Sequence, residues 1–311
     1  TITNCNVYDS TSGYRDGPYG IYLSGSSNNI IDGCNVYDLS AGYIPGQGGG
    51  GYGGGPFGIY LYSSSNNNIM NCNVYDLVAG YSYVALCGII LHDSSNNDIS
   101  NCNVYDNSAD ISGAPCYGIF IRGCSSSNNN IIDSFLYNNS GYTVYSIFLQ
   151  GSLNIIANCN LYGLSLDKNH YGIYLSYCSN SANITNCDVY NNKYGIYLAS
   201  SSTTSTIDSC DSYNNQYGIY STGSSDNKIV NSNVYNNDNY GIYLTGSSNN
   251  GIMICNVYNN GYGIYITGSS NCKLRSNTIY DNVGNFGVDG TVISHFEHNI
   301  DASNTIEADQ R

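Results

Sequence analysis

Ile69-Met70-Asn71-Cys72-Asn73-Val74-Tyr75 and Tyr194-Gly195-Ile196-Tyr197-Leu198 are two short phrases that recur along the whole chain. Both are rich in Ile, Val and Tyr and bounded by Gly, Asn and Ser, which is strand chemistry. Within Ile196-Tyr197-Leu198 apolar residues sit at every second position, the period of a β-strand. The first phrase ends at Tyr8, Tyr37, Tyr75, Tyr105, Tyr137, Tyr162, Tyr190, Tyr213, Tyr235, Tyr258 and Tyr280, so there are eleven units. The second is centred on an Ile ten times, from Ile21 to Ile264, and the eleventh unit departs from it. A turn such as Ser247-Ser248-Asn249-Asn250 leads from one unit to the next.

Late units are short: Cys187 to Cys210 spans 23 residues and Cys210 to Ser232 spans 22. Early units stretch to 38 residues between Cys34 and Cys72, and the extra length falls after the first Tyr, at residues 10–18, 39–56, 77–86 and 107–116. Constant strands with insertions at one corner are the mark of a solenoid. A unit of about 22 residues is too short for a propeller blade of about 40. It fits one coil of an all-β, right-handed parallel β-helix, here of about eleven coils, with corner loops in the N-terminal half. At about 4.8 Å per coil the rod is about 50 Å long. Residues 1–280 are expected to form the β-helix, and 281–311 a C-terminal strand or tail for capping or inter-subunit contact.

Alternation assigns the faces. Ile21 and Leu23 point inward and Tyr22 outward; Val74 points inward and Tyr75 outward. The cysteine two before Val then joins an inward ladder of Cys5, Cys34, Cys72, Cys102, Cys159, Cys187, Cys210 and Cys255, with Ser134, Ser232 and Asn277 in the other coils. Small buried filler is the plain reading of that ladder; disulfides between coils and metal binding are the alternatives. Cys87, Cys116, Cys124, Cys178 and Cys272 lie off it, and Cys87 and Cys116 could pair at the insertions. Outward, one column consists of the eleven Tyr above. A second contains Tyr22, Tyr60, Tyr174, Tyr197, Tyr220, Tyr243 and Tyr265, with Phe120 and Phe148 as substitutes. These rings either stack only on each other or form a wall for subunit packing or sugars. The outward faces are expected to carry Tyr and Asn.

Other motifs are thinner. The Gly-rich run at residues 46–55 matches G-x-G-x-x-G at Gly49, Gly51 and Gly54 but lacks the following helix of a nucleotide site. Asn138 and Asn183 begin the two N-x-[ST] sequons, possible glycosylation sites. His92 and His170 fall in different coils, and His295 and His298 flank Glu297 without a third ligand. No metal site and no cofactor are expected.

Of 311 residues only 10% are charged, and 8 Lys plus Arg face 22 Asp plus Glu, a net charge of −14. So few cations cannot neutralise many phosphates, so a nucleic-acid partner is not expected. No apolar run approaches the roughly 20 residues of a membrane helix. The chain opens without Met or a signal sequence, so a removed signal or a processed piece of a longer product is expected.

The repeated N-x-I-x-N-C-x-V-Y and Y-G-I-Y-L units over residues 1–280 resemble the pectate-lyase-like right-handed β-helix superfamily. They are most similar to the Asn-rich repeats of periplasmic copper-maturation proteins and of archaeal surface proteins. His298-Asn299-Ile300-Asp301-Ala302-Ser303-Asn304-Thr305-Ile306 resembles a segment that follows such repeats in archaeal surface proteins. The resemblance implies an extracellular or cell-surface protein of a prokaryote, archaeal or bacterial. Many members act on polysaccharides, but the N-T-D, D-D, G-H-G and R-I-K strings of polygalacturonase-like members do not occur here. With Met at 2 and His at 4, copper ligands are scarce. The basic residues Arg15, Arg122, Lys168, Lys193, Lys228, Lys273, Arg275 and Arg311 are not expected to gather with acids on one coil face. Asp188 and Asp211 should stack on adjacent coils without a neighbouring His or Arg. The first functional expectation is therefore a non-enzymatic structural protein of a filament, sheath or surface layer, its partners copies of itself joined end to end. The alternatives are a polysaccharide-binding or polysaccharide-cleaving protein and an adhesin or fragment of a larger surface protein.

Overall fold

The computed structural model describes residues 1–12, 17–41, 55–80, 85–109, 113–166, 168–177, 180–200 and 202–307. Three sheets wrap one core. Sheet 1 has twelve strands, from Ile2–Thr3 to Asn299–Ile300; sheet 2 has twelve, from Asn6–Val7 to Thr305–Ile306; sheet 3 has eleven, from Tyr19–Ser24 to Gly284–Asp289. A five-stranded sheet, Thr11–Ser12 to Ser140–Gly141, lines the corner of the first five coils, where the insertions fall. Pairing is parallel and like residues meet: Val74 lies on Val104 and Tyr75 on Tyr105. The eleventh coil closes through Gly284–Asp289, with Phe286 opposite Ile264, and the 299–306 segment continues sheets 1 and 2.

Sharp corners between three sheets need left-handed backbone, which Asn and Asp tolerate better than other side chains. Asn71 (φ 54°), Asp76 (φ 54°) and Asn66 (φ 58°) hold the three corners of one coil, and equivalent residues hold the others. Much of the Asn in the composition is therefore backbone geometry.

The core differs from the sequence expectation in one respect. Ile, Val, Leu and Cys rows are buried as the alternation requires, but two columns of Asn and one of Ser also face inward. Each left-handed corner resets the parity, so the residue after it turns into the core. Asn237, only 1% exposed, shows why these amides are there. Its Oδ1 accepts from the Asn215 N–H (3.0 Å), and its Nδ2 donates to Ser212 O (3.1 Å) and Asn260 Oδ1 (2.8 Å). The amide column thus satisfies backbone groups that the corners leave unpaired.

The Cys column works similarly. Cys72 Sγ donates to Met70 O (3.1 Å) and Cys102 Sγ to Ser100 O (3.3 Å), and Ser134 Oγ makes the same bond to Ile132 O (2.9 Å). A small side chain that can donate two residues back fits here, which accounts for the exchange of Cys and Ser. Cys34, Cys72, Cys102, Cys159, Cys187, Cys210 and Cys255 are buried, Cys5 in the first coil is half-buried, and all eight are free thiols. The neighbouring thiol of an adjacent coil and burial push Cys102 and Cys159 up, while the Cys102 side chain beside it holds Cys72 lower. Cys272, off that ladder, is buried in the Asn column of the sheet 1 corner, its Sγ toward Ser247 O (3.6 Å).

Cys87 and Cys116 do not pair. Cys116 aligns with Leu86, one residue from Cys87, so the two thiols lie on opposite faces of sheet 3. Cys116 packs in the main core and Cys87 among aromatic rings outside it, and neither is in a disulfide. Cys124 is disulfide-bonded. Cys178, Arg15, Arg311 and Gly46 to Gly54 lie outside the described residues.

Candidate functional site

Sheet 3 carries two outward aromatic columns where the sequence predicted one. The added column contains Tyr19, Phe57, Tyr117, Tyr145, Tyr171, Tyr194, Tyr217, Tyr240 and Tyr262, with Cys87 in its place in the third coil. Its rings reach the expected column: Tyr194 and Tyr197 centroids are 5.1 Å apart, and those of Tyr240 and Tyr243 4.6 Å. Strict alternation would bury Tyr194, three residues before Tyr197. The glycine between them breaks it. Pairing runs through Tyr194 and Ile196 but skips Gly195, and a Cβ there would lie 2.4 Å from the inward Ser212 Oγ and 2.5 Å from Gly218 O. Gly195 and Ile196 both face inward, a bulge repeated in each coil. The Gly recurring between Tyr and Ile was the available signal.

The aromatic columns differ in what they offer a ligand. On sheet 2 the rings lie parallel: Tyr190–Tyr213, Tyr213–Tyr235 and Tyr235–Tyr258 sit 4.8–5.0 Å apart at interplanar angles of 2–6°. Parallel stacking covers ring faces and leaves edges outward. On sheet 3 Tyr197–Tyr220, Tyr220–Tyr243 and Tyr243–Tyr265 are inclined at 44°, 40° and 59°. These tilted rings leave part of each face open, whereas the added column stacks at 10–20° from Tyr117 to Tyr262. Burial raises the Tyr194, Tyr197, Tyr220 and Tyr243 phenols, Tyr220 to about 12, so all remain neutral.

At the N-terminal part of this face polar side chains of neighbouring coils come together. Tyr62, His92 and Arg122 align on successive coils, each three residues after its central Ile. His92 Nδ1 lies 2.8 Å from the Tyr60 hydroxyl, and its Nε2 3.6 Å from Asp93 Oδ2. Asp93 Oδ1 accepts from Ser125 Oγ (2.7 Å). Burial, then Arg122, lowers the His92 pKa, so the imidazole is neutral near pH 7. Burial raises Tyr60 to about 12 against the opposing pull of Arg122. The phenol and the neutral imidazole are within hydrogen-bond reach and can exchange a proton, while Asp93 at 3.6 Å acts on the imidazole through its charge. Arg275 also finds an acid, Asp301, at 2.8 Å.

Asn138 sits half-buried at a left-handed corner, and Asn183 is exposed at the start of its sheet 1 strand. Asp188 and Asp211 are paired in register, and burial, then Asp211, raises Asp188. His298 accepts from the Cys272 N–H (3.3 Å) and His295 from the Thr291 N–H (3.2 Å). Among the described residues no group of three His, Cys, Asp or Glu could hold a metal, and no helix is long and apolar enough to cross a membrane.

The sequence profile of a right-handed β-helix region matches residues 1–161 and 171–308. The chain belongs to the right-handed β-helix family. Its coils and parallel register are shared with the A-module of the mannuronan C-5 epimerase AlgE6 of Azotobacter vinelandii: TM-score 0.68, 14% identity, 99% of this chain and 90% of that one covered. A periplasmic alginate epimerase, AlgG, is similar at TM-score 0.60 and 14% identity, covering 91% of this chain and 83% of that one. The Dettilon tailspike protein is similar at TM-score 0.52 and 16% identity, and the matched part is 59% of its length. The search of curated proteins found no match. At these identities the likeness establishes the fold, and function must come from the side chains.

Proposed function

We propose that this β-helix is an extracellular polysaccharide-binding protein whose ligand lies along sheet 3. The observation that carries the reading is the pair of outward aromatic columns, whose rings are inclined to each other across the columns at Tyr171–Tyr174, Tyr194–Tyr197 and Tyr217–Tyr220 and along one column from Tyr197 to Tyr265, a rigid amphipathic platform of the kind that sugar rings stack on. Its repeat of about 4.8 Å per coil is close to the length of a monosaccharide in an extended chain. Alginate epimerases and a tailspike among the similar structures support a polysaccharide over self-assembly as the main role. One observation favours a second reading, a polysaccharide-modifying activity: the Tyr60–His92–Asp93 chain beside Arg122.

A polysaccharide array probed with the full chain tests both. Binding to at least one polymer, lost on Tyr197→Ala/Tyr243→Ala, is expected, and retention of all binding by that variant rejects the platform. Bound polymers incubated with the protein and followed by NMR should change only if His92 is intact; unchanged polymer removes the second reading alone.

A further inference from the structure

We infer that the polysaccharide taken by sheet 3 is uncharged, and that polyuronates are excluded from it; this rests on the binding reading above. Six consecutive strands of sheet 3, from Thr143–Leu149 to Tyr262–Thr267, contain no Asp, Glu, Lys or Arg. They form a lane about 25 Å long at the spacing of a parallel sheet. The single histidine in these strands, His170, is buried on the inner side. Outward stand phenols, and burial keeps those of Tyr171, Tyr174, Tyr194, Tyr197, Tyr220 and Tyr243 protonated.

A polyuronate would set a carboxylate on every sugar against this lane. A desolvated carboxylate is costly unless it is paired with a cation as well as hydrogen-bonded, so neutral phenols alone do not offset the cost. Lys168 and Lys193 stand in the turns leading into two of the six strands, and the Lys193 ammonium, bound by Asn169 Oδ1 at 3.2 Å, lies 5.8 Å from the centroid of the Tyr194 ring at the edge of the lane. Two cations cannot match one charge per sugar. Arg122 stands before the lane begins, in the strand Pro115–Arg122 beside His92, with Asp93 close by. The net charge of −14 adds a longer-range repulsion that salt screens. Neutral sugars meet none of these costs. Their C–H faces lie on the inclined rings, and their hydroxyls exchange hydrogen bonds with phenols that both donate and accept.

Affinity electrophoresis of the full chain in native gels containing hydroxyethyl cellulose, galactomannan, polygalacturonate or alginate tests this at low and physiological salt. Retardation by a neutral polymer and none by either polyuronate is expected. Tyr220→Ala/Tyr243→Ala should weaken neutral-polymer binding at least about tenfold, about 1.4 kcal/mol. Tyr220→Phe should keep most of it, and Tyr213→Ala, in the closed stack of sheet 2, should leave it unchanged. Circular dichroism of each variant separates lost binding from lost fold. Tighter binding to a polyuronate than to either neutral polymer, lost in the same double variant, overturns this inference while leaving the binding function standing. No retardation by any polymer, with none bound on the array, overturns both.

Discussion

At the scale of single residues the fold is governed by which side chains tolerate left-handed backbone. Most such corner positions hold Asn, Asp, Ser or Gly. Ile254 is an exception, a β-branched residue at φ 57° with 59% of its surface exposed. Left-handed backbone costs an ordinary L-residue about 1–2 kcal/mol. The equivalent corner holds Asn231 one coil earlier, with its Nδ2 on Asp208 Oδ1 at 2.9 Å. Ile254→Asn should therefore stabilise the protein by about 1 kcal/mol, read as a shift in the denaturant midpoint at unchanged slope. A variant less stable than the parent would show that Ile254 packs in a way its exposure does not reveal.

At the scale of the strand, the bulge glycine decides which rings reach the surface. Gly195→Ala forces a methyl against Ser212 Oγ and Gly218 O and should cost about 1–3 kcal/mol. Gly251 in sheet 1 meets nothing closer than Met253 Cε at 3.5 Å, so Gly251→Ala should be neutral or stabilising by up to about 1 kcal/mol. Equal effects at the two sites would remove the steric account of the bulge. This element also marks how far the sequence could be read. Val74 and Tyr75 were assigned correctly because an uninterrupted strand has a fixed parity. The column of Tyr194 was not foreseen, and Asn237 turns inward where Asn was expected outward, because the bulge at Gly195 and the left-handed corner at Asn236 each reverse that parity without changing local composition. Tyr60, His92 and Arg122 escaped for another reason: coils of unequal length bring together residues 32 and 30 positions apart. Counting three from Ile59, Ile89 and Ile119 would have aligned Tyr62, His92 and Arg122.

At the scale of the whole molecule, the phenols couple the fold to alkaline pH. Burial first, then neighbouring phenols, raises Tyr213 and Tyr220 to about 12 from an ordinary 10.0, and many other Tyr shift the same way. A group raised in the folded state binds its proton more tightly there than in the unfolded chain. Its contribution is complete below pH 10 and is lost as pH rises through the folded value. Unfolding is therefore expected to set in above pH 10, with circular dichroism and tyrosinate absorbance changing together. Phenols that ionise near pH 10 on an intact fold would contradict it. The corners carry a slower kind of pH chemistry. Side-chain amides hydrolyse with age, and Asp38, Asp76, Asp106 and Asp281 already occupy the corner that Asn191, Asn214, Asn236 and Asn259 hold in other coils, at φ 53–58°. Weathering there exchanges one accepted residue for another. The same conversion in the sealed amide columns would plant an anion in the core, yet those amides are the ones water reaches least, so the rod is built to grow old from the outside without coming apart.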